Sequence, residues 1–183
     1  MRINAKKLTS AMKAKGVDVA SLAGAIAEPG FSAADAQSAL GNWMNGSDHP
    51  RCKAPMARKI AQILGVRVAD ICKFTSQFKN HRGSPRKAKL LIDLIRGKSV
   101  VDAENQLTFT TKRAALDIKR CLKAATIDAE QHGEVNYDKL FVTEATVDQS
   151  TVMKRFQPKD RGRAHAIHKF FSHITISVEE KTK

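Results

Sequence analysis

The residues with the type and spacing to do chemistry in this chain are cations. Between positions 154 and 169 six basic side chains, Lys154, Arg155, Lys159, Arg161, Arg163 and Lys169, stand against one acid, Asp160. Side chains of that kind and density neutralise phosphates and release their counterions. His165, His168 and His173 lie in the same region but have no regularly spaced carboxylate or cysteine beside them, so they are read with the basic arm rather than as metal ligands. No metal and no cofactor is expected. A nucleophile triad, a P-loop, a GxGxxG turn and paired catalytic carboxylates are all missing from the sequence, so no enzyme is expected. Cys52, Cys72 and Cys121 form no C-x-x-C pair and no even framework, which reads as reduced thiols of an intracellular protein, with Cys121 a small core residue.

The whole composition agrees with a polyanion partner. Lys and Arg number 32 against 18 Asp and Glu, giving a formal charge of +14 and an isoelectric point near 10.0. Residues 1–75 carry 11 basic and 5 acidic residues and residues 76–183 carry 21 and 13, so neither half is a neutral passenger. Hydrophobic residues at 42% suffice for packed cores, while no apolar run nears the roughly 20 residues that span a bilayer. The start, Met1-Arg2-Ile3-Asn4-Ala5-Lys6-Lys7, has no apolar signal region, so a cytoplasmic protein without a membrane partner is expected.

These cations need elements to position them. Up to about residue 73 the pattern predicts short helices. Leu8 and Met12 precede Gly16, and Val19, Leu22, Ala23 and Ile26 share one face. Ser32 with Asp35 has the form of a capping box after the break at Glu28-Pro29-Gly30, and the helix it opens runs through Leu40 and Trp43. A fourth helix around Met56 to Leu64 ends at Gly65, and a last turn holds Val68, Ile71 and Cys72. A small all-α unit over 1–73 is predicted. Its segments Leu22-Ala23, Leu40-Gly41-Asn42-Trp43-Met44-Asn45-Gly46 and Lys59-Ile60-Ala61-Gln62-Ile63-Leu64-Gly65-Val66 resemble the helix-turn-helix domains of the phage Cro and repressor family. That resemblance implies Gln37, Ser38, Gly41 and Asn42 facing a DNA groove. The other reading is a basic helical addition packed on a larger assembly, with Lys6, Lys7, Arg58 and Lys59 on phosphates. The helix from Ala33 to Asn45 has no Lys or Arg.

The polar, turn-forming stretch 76–85 predicts a boundary near 75–80. Beyond it, Ser84-Pro85 opens a helix with Ala88, Leu91, Ile92 and Ile95 on one face, ended by Gly97. Ser99 to Asp102 caps a short helix to about Leu107, and Thr110 or Thr111 starts a longer one with Ala115, Ile118, Leu122, Ala125 and Ala129 inward, stopped by His132-Gly133. From Leu140 the period becomes two, and it returns in Ile174, Ile176 and Val178. The two arms meet in a turn at Pro158 to Gly162. Arms of about 17 residues would reach on the order of 55 Å, against some 35 Å for a globule of about 100 residues. The hairpin must project, and a basic projecting arm needs anionic walls.

The blocks Ser84-Pro85-Arg86-Lys87-Ala88, Leu94-Ile95-Arg96-Gly97-Lys98, Met153-Lys154-Arg155-Phe156, Gly162-Arg163-Ala164 and Ser172-His173-Ile174-Thr175-Ile176 resemble, in order and spacing, the bacterial large-subunit ribosomal protein number twenty-two family. The resemblance spans about residues 74–183. It implies an α+β domain of three helices on a small antiparallel sheet, with the long hairpin at about 140–180. The implied partners are 23S ribosomal RNA, neighbouring large-subunit proteins and the nascent peptide passing the hairpin in its exit tunnel, all in the cytoplasmic ribosome. Its RNA contacts would be Lys79, Arg82, Arg86, Lys87, Lys89, Arg96, Lys98, Lys112, Lys154, Arg155, Lys159, Arg161, Arg163, His165, His168 and Lys169. The hairpin tip would be Gln157, Pro158, Lys159, Asp160, Arg161 and Gly162. Ala166 and Phe170 stand where that family usually has arginine. A DNA-binding regulator working through residues 1–73 is the alternative.

Overall fold

In a computed structural model of the chain, which describes residues 1–27, 31–133 and 135–180, the predicted helices form, with side-chain caps at Ser32 and Ser99 and none from the Ser84 hydroxyl. A two-residue strand β1 (Arg2–Ile3) leads into α1 (Ala5–Lys15), which ends where Gly16 adopts φ 63°, a left-handed conformation open to glycine without strain. Then come α2 (Val19–Ile26), α3 (Ala33–Met44), α4 (Ala54–Leu64) and the single turn α5 (Val68–Ile71). The Ser32–Asp35 capping box is reciprocal, with the Asp35 amide donating to Ser32 Oγ at 3.2 Å and the Ser32 amide to Asp35 Oδ2 at 3.3 Å. Leu8, Leu22, Ile26, Leu40, Ile60 and Leu64 are fully buried together, and Trp43 joins them by donating its indole N–H to the Pro50 carbonyl at 2.7 Å. The Glu28-Pro29-Gly30 break lies outside the described residues.

The first half is not purely helical, and the polar stretch after it is not a linker. Strand β2 (Cys72–His81) starts where a last helical turn was expected at Cys72 and continues through most of the expected boundary. It pairs with β1 through Arg2↔Lys73 and Ile3↔Cys72. Its alternation is obscured because Cys72, Phe74 and Thr75 are all buried. A strand in the interior of a sheet under a helix hides residues on both faces, and Thr75 satisfies its hydroxyl against Ser177 Oγ at 2.8 Å.

Three helices, α6 (Pro85–Ile95), α7 (Val100–Phe109) and α8 (Ala114–Gly133), then precede the long strands β3 (Leu140–Pro158) and β4 (Ala164–Glu180). Helix α7 runs past Leu107, with the Thr110 hydroxyl bonding the Gln106 carbonyl, so α8 begins at Ala114 rather than at Thr110 or Thr111. The sheet is antiparallel in the order β1-β2-β4-β3. Ile92, Ile95, Ile118 and Leu122 pack against Phe74, Val142, Ile174, Ile176 and Val178 in a core continuous with that of the first half.

The two halves are also tied by charge. Glu179 on β4 is almost buried, and it takes the Lys7 ammonium at 2.8 Å and accepts from the Asn4 side-chain amide, whose Nδ2 lies 3.2 Å from both carboxylate oxygens. Glu180 takes Arg67 at 3.0 Å, and the Arg58 guanidinium lies 3.2 Å from His132 Nδ1.

Gly133 does more than end a helix. A Cβ there would lie 2.5 Å from Cζ of Phe74, a ring with no exposure, so only glycine lets the end of α8 cross β2 so closely. Gly133→Ala is expected to lower stability by about 1–3 kcal/mol through overpacking. Gly41→Ala, in the middle of α3 with nothing within 4 Å of its added methyl, should raise it by roughly 0.5–1 kcal/mol. Thermal or urea unfolding of the two variants checks the opposite signs.

Candidate nucleic-acid interface

The hairpin is a body strand pair that outruns its body. Near its root β4 pairs with both β2 and β3, through Phe74↔Val178 to His81↔Ser172 on one side and Leu140↔Glu180 to Gln149↔Ser172 on the other. From Val152 outward the two arms have only each other, and apart from half-buried Val152 and Ile167 their side chains are exposed as far as Phe170. The seven residues Val152 to Pro158 make about 23 Å of arm at roughly 3.3 Å per residue. The Lys159 amide closes the tip on the Arg163 carbonyl at 2.7 Å, and Arg161 and Gly162 take φ 54° and 71° to turn the chain.

Register gives the arm two unlike faces, because residues directly opposed in an antiparallel pair share a side. Val152↔Phe170, Lys154↔His168, Phe156↔Ala166 and Pro158↔Ala164 form one face, and Met153↔Lys169, Arg155↔Ile167 and Gln157↔His165 form the other. The first face is aromatic and apolar around one lysine, with Phe156 at 76% exposure and the His168 and Phe170 rings edge to face. The second carries Arg155, Lys169 and His165. Lys159, Arg161 and Arg163 crowd the exposed tip beside Asp160.

The direction of the arm is set at its root by Asn80. This residue adopts φ 58° at an irregularity in β2. Its amide donates to His173 Nδ1 at 3.1 Å, and its side-chain oxygen accepts from Ser150 Oγ at 2.9 Å, next to the bulge between Gln149 and Val152. One residue thus holds both arms where they leave the body. His173, grouped by sequence with the other histidines, is spent on this bond.

The cations on the helices divide into held and unheld. On α8, Lys119 and Lys123 lie 3.4 and 3.3 Å from Glu104, and Arg120 lies 3.4 Å from Asp117. Glu104 also receives the Tyr137 hydroxyl at 2.5 Å. That bond, foremost, with the two ammonium groups, holds its carboxyl below the usual carboxylate range. Burial pushes the Tyr137 hydroxyl up to about 12. Arg96 is likewise held, donating to the Ala145 carbonyl at 2.7 and 3.2 Å and pairing with Asp93 at 3.0 Å, so it fastens α6 to β3. Lys98 lies half-buried in the same fastening, its carbonyl taking the Val142 amide. Lys79, Arg82, Arg86, Lys87, Lys89 and Lys112 are exposed and have no ion pair among the described residues. In the first half Lys6 is exposed, Lys59 is half-buried on α4, Lys7 is occupied by Glu179 and Arg58 meets His132.

No helix of the chain is long and apolar enough to cross a membrane among the described residues. No group of three or more His, Cys, Asp or Glu that could hold a metal ion occurs among them.

A family model described as ribosomal protein L22p/L17e matches residues 76–179, which are β2 from Ser76, the three helices and nearly all of the hairpin. The chain belongs to this ribosomal protein L22p/L17e family. Its members are structural ribosomal proteins and not enzymes. A curated relative, the large ribosomal subunit protein uL22 of Rickettsia typhi, is 46% identical over 107 residues, 58% of this chain and 90% of the relative. The uL22 protein of Orientia tsutsugamushi is 48% identical over 97 residues, 53% and 84% of the two chains. That of Heliobacterium modesticaldum is 49% identical over 100 residues, 55% and 71%.

Sequence reading missed Asn80 as a positioning residue and the pair of His81 Nδ1 with Asp117 Oδ2 at 2.7 Å under the exposed cations. Asn80 carried a signal, since asparagine is enriched at positive φ and it precedes Gly83 by three residues. The His81 pair carried none, because its partners are 36 positions apart. Asn80→Ala is expected to keep the body folded but to cost about 1–2 kcal/mol through the lost bond and the strained φ. Hydrogen exchange checks it: protection at Gln149 to Val152 and at Ser172 should fall while that of α8 stays.

Proposed function

We propose that this protein is a structural component of the large ribosomal subunit in the cytoplasm, bound to 23S ribosomal RNA by the unheld cations of α6, of the start of α8 and of the hairpin. The observation that carries the reading is the arm itself, family-matched along almost its whole length, basic, and too exposed to be stable without walls. An isolated two-stranded ribbon is marginal in water at best. RNA supplies phosphates for Lys154, Arg155, Lys159, Arg161, Arg163 and Lys169, and unpaired bases for Phe156. Neighbouring large-subunit proteins and the nascent peptide are the further partners of an arm that lines the exit tunnel with its tip, Gln157 to Gly162.

Residues 1–73 are read as an appended unit. The family match begins at Ser76, and ion pairs fasten this part to the end of β4. Its helix-turn-helix likeness is read as shape and not as DNA recognition. The face of α3 that would meet a groove has no cation, and the Asn42 amide is spent on the His49 carbonyl at 2.9 Å. Lys6, Lys13 and Lys15 are exposed on α1, a phosphate-tracking surface rather than a base reader.

Sedimentation of the tagged protein with large subunits tests the reading, and its absence from that fraction overturns it. Deleting Gln157 to Ala164 should leave the body folded and the protein incorporated, while nucleotides along the narrow part of the tunnel gain chemical reactivity. Exclusion of the deletion variant would make the tip an assembly anchor instead.

Lys6 and Lys7 should separate. Lys7→Ala strips an almost buried carboxylate of its cation and is expected to cost about 1–3 kcal/mol in unfolding. Lys6→Ala should leave unfolding unchanged and lower the salt slope of RNA binding by roughly 0.7–0.9 if it touches one phosphate.

A further inference from the structure

A cleft of about 590 Å³ opens between the loop that follows β2, the first turns of α6 and the start of α8. Its floor is made by Gly83, Ala88 and Ala114, and Leu90 stands at its lip with 62% of its surface exposed. Arg82, Lys87, Lys112 and Arg113 form the rim. No carboxylate lines it, and Asp117, below His81, is already held by that imidazole and by Arg120. The floor is flat of necessity. A Cβ at Gly83 would lie 2.4 Å from Nε2 of His81, a buried ring that cannot move aside.

An apolar slot with four cations at its mouth suits a planar, uncharged ring that carries anions on both sides. Phosphate alone would leave the slot empty, and an acidic side chain would find only aliphatic carbon inside it. A nucleotide whose base has left its stack meets both requirements. Its ring lies against aliphatic carbon and a guanidinium plane, and its flanking phosphates reach the rim. The volume falls in the range of pockets that enclose small ligands.

We infer that this cleft lodges one unstacked nucleotide of the RNA, its base between Leu90 and the Gly83 turn and its phosphates on Arg82, Lys87, Lys112 and Arg113. The inference rests on the ribosomal RNA reading above and adds to it a single base-binding position on the body, apart from the hairpin. It also gives Leu90 a task, since the buried face of α6 uses Ala88, Leu91, Ile92 and Ile95 and leaves Leu90 out.

The test uses the full chain in large subunits, with Leu90→p-benzoylphenylalanine as a photocrosslinker. Irradiation should join position 90 to one nucleotide of 23S RNA. Leu90→Ala, an uncharged change at an exposed position, should keep the unfolding temperature and weaken RNA binding roughly tenfold with the salt slope unchanged. Lys87→Gln and Lys112→Gln should each lower that slope by roughly 0.7. A crosslink to a ribosomal protein, crosslinks scattered over many nucleotides, no crosslink, or unaltered affinity of Leu90→Ala would each overturn the inference while the protein still sediments with the subunit. Absence of the unaltered protein from large subunits would overturn the proposed function, and the inference with it.

Discussion

Everything in this molecule depends on β4 having to serve two environments along one strand. Its last nine residues, Ser172 to Glu180, sit between β2 and β3 under α8, and its first eight, Ala164 to Phe171, have only β3 beside them. The β3–β4 pairing is interrupted at the change only by the bulge between Gln149 and Val152, so the geometry of the root there sets the course of the arm. That imposes rigidity where the arm emerges. Asn80, the bulge before Val152 and the His81↔Ser172 pair are gathered there, and they fix an angle that side-chain packing alone could not define on so narrow a ribbon.

The same strand explains how residues 1–73 are joined to the rest. Its end carries two acids, Glu179 and Glu180, at a point where the sheet is already covered. An unpaired carboxylate there would be costly, since burial strips its hydration. Lys7, Asn4 and Arg67 supply the missing charge and hydrogen bonds from the first half. Removing one partner of such a set costs more than the set contributes net, because the other is left unsatisfied. The junction therefore fixes orientation more than it adds stability, and β1 on β2 sets the same orientation through the backbone.

What could be read from the sequence was local. Caps at Ser32, Ser84 and Ser99, the stops at Gly16 and Gly65, and the two-residue period of β3 and β4 each arise from neighbours within four positions, and the elements they announced are present. The arm was legible for the same reason. Strand β2 was not, because a strand buried on both faces loses its alternation, and its polar end looked like a connection. The roles of Lys7 and Arg96 were not legible either. Charge marks Lys7 and the family resemblance marks Arg96 as phosphate contacts, but neither discloses the bonds to Glu179 and to the Ala145 carbonyl, which lie far along the chain. Charge is visible in sequence, but whether it is already spent is a tertiary fact.

That distinction bears on how a chain of net charge +14 keeps a fold at all. Cations of the body are matched where an acid stands beside them: Lys7 by Glu179, Lys73 by Glu144, Arg67 by Asp70 and Glu180, Lys119 and Lys123 by Glu104. The unmatched ones stand on the outside, at the rim of the α6–α8 cleft, on α1 at Lys6, Lys13 and Lys15, and along the distal arm, where high dielectric and mobile ions weaken their repulsion. The arm from Val152 to Phe170 carries a net +5 and the rest of the chain the remaining +9, and this surplus lies on exposed surfaces that gain most from a polyanion. Binding there relieves repulsion and supplies the contacts the ribbon lacks, so the arm becomes firm in the same step in which its charge is used.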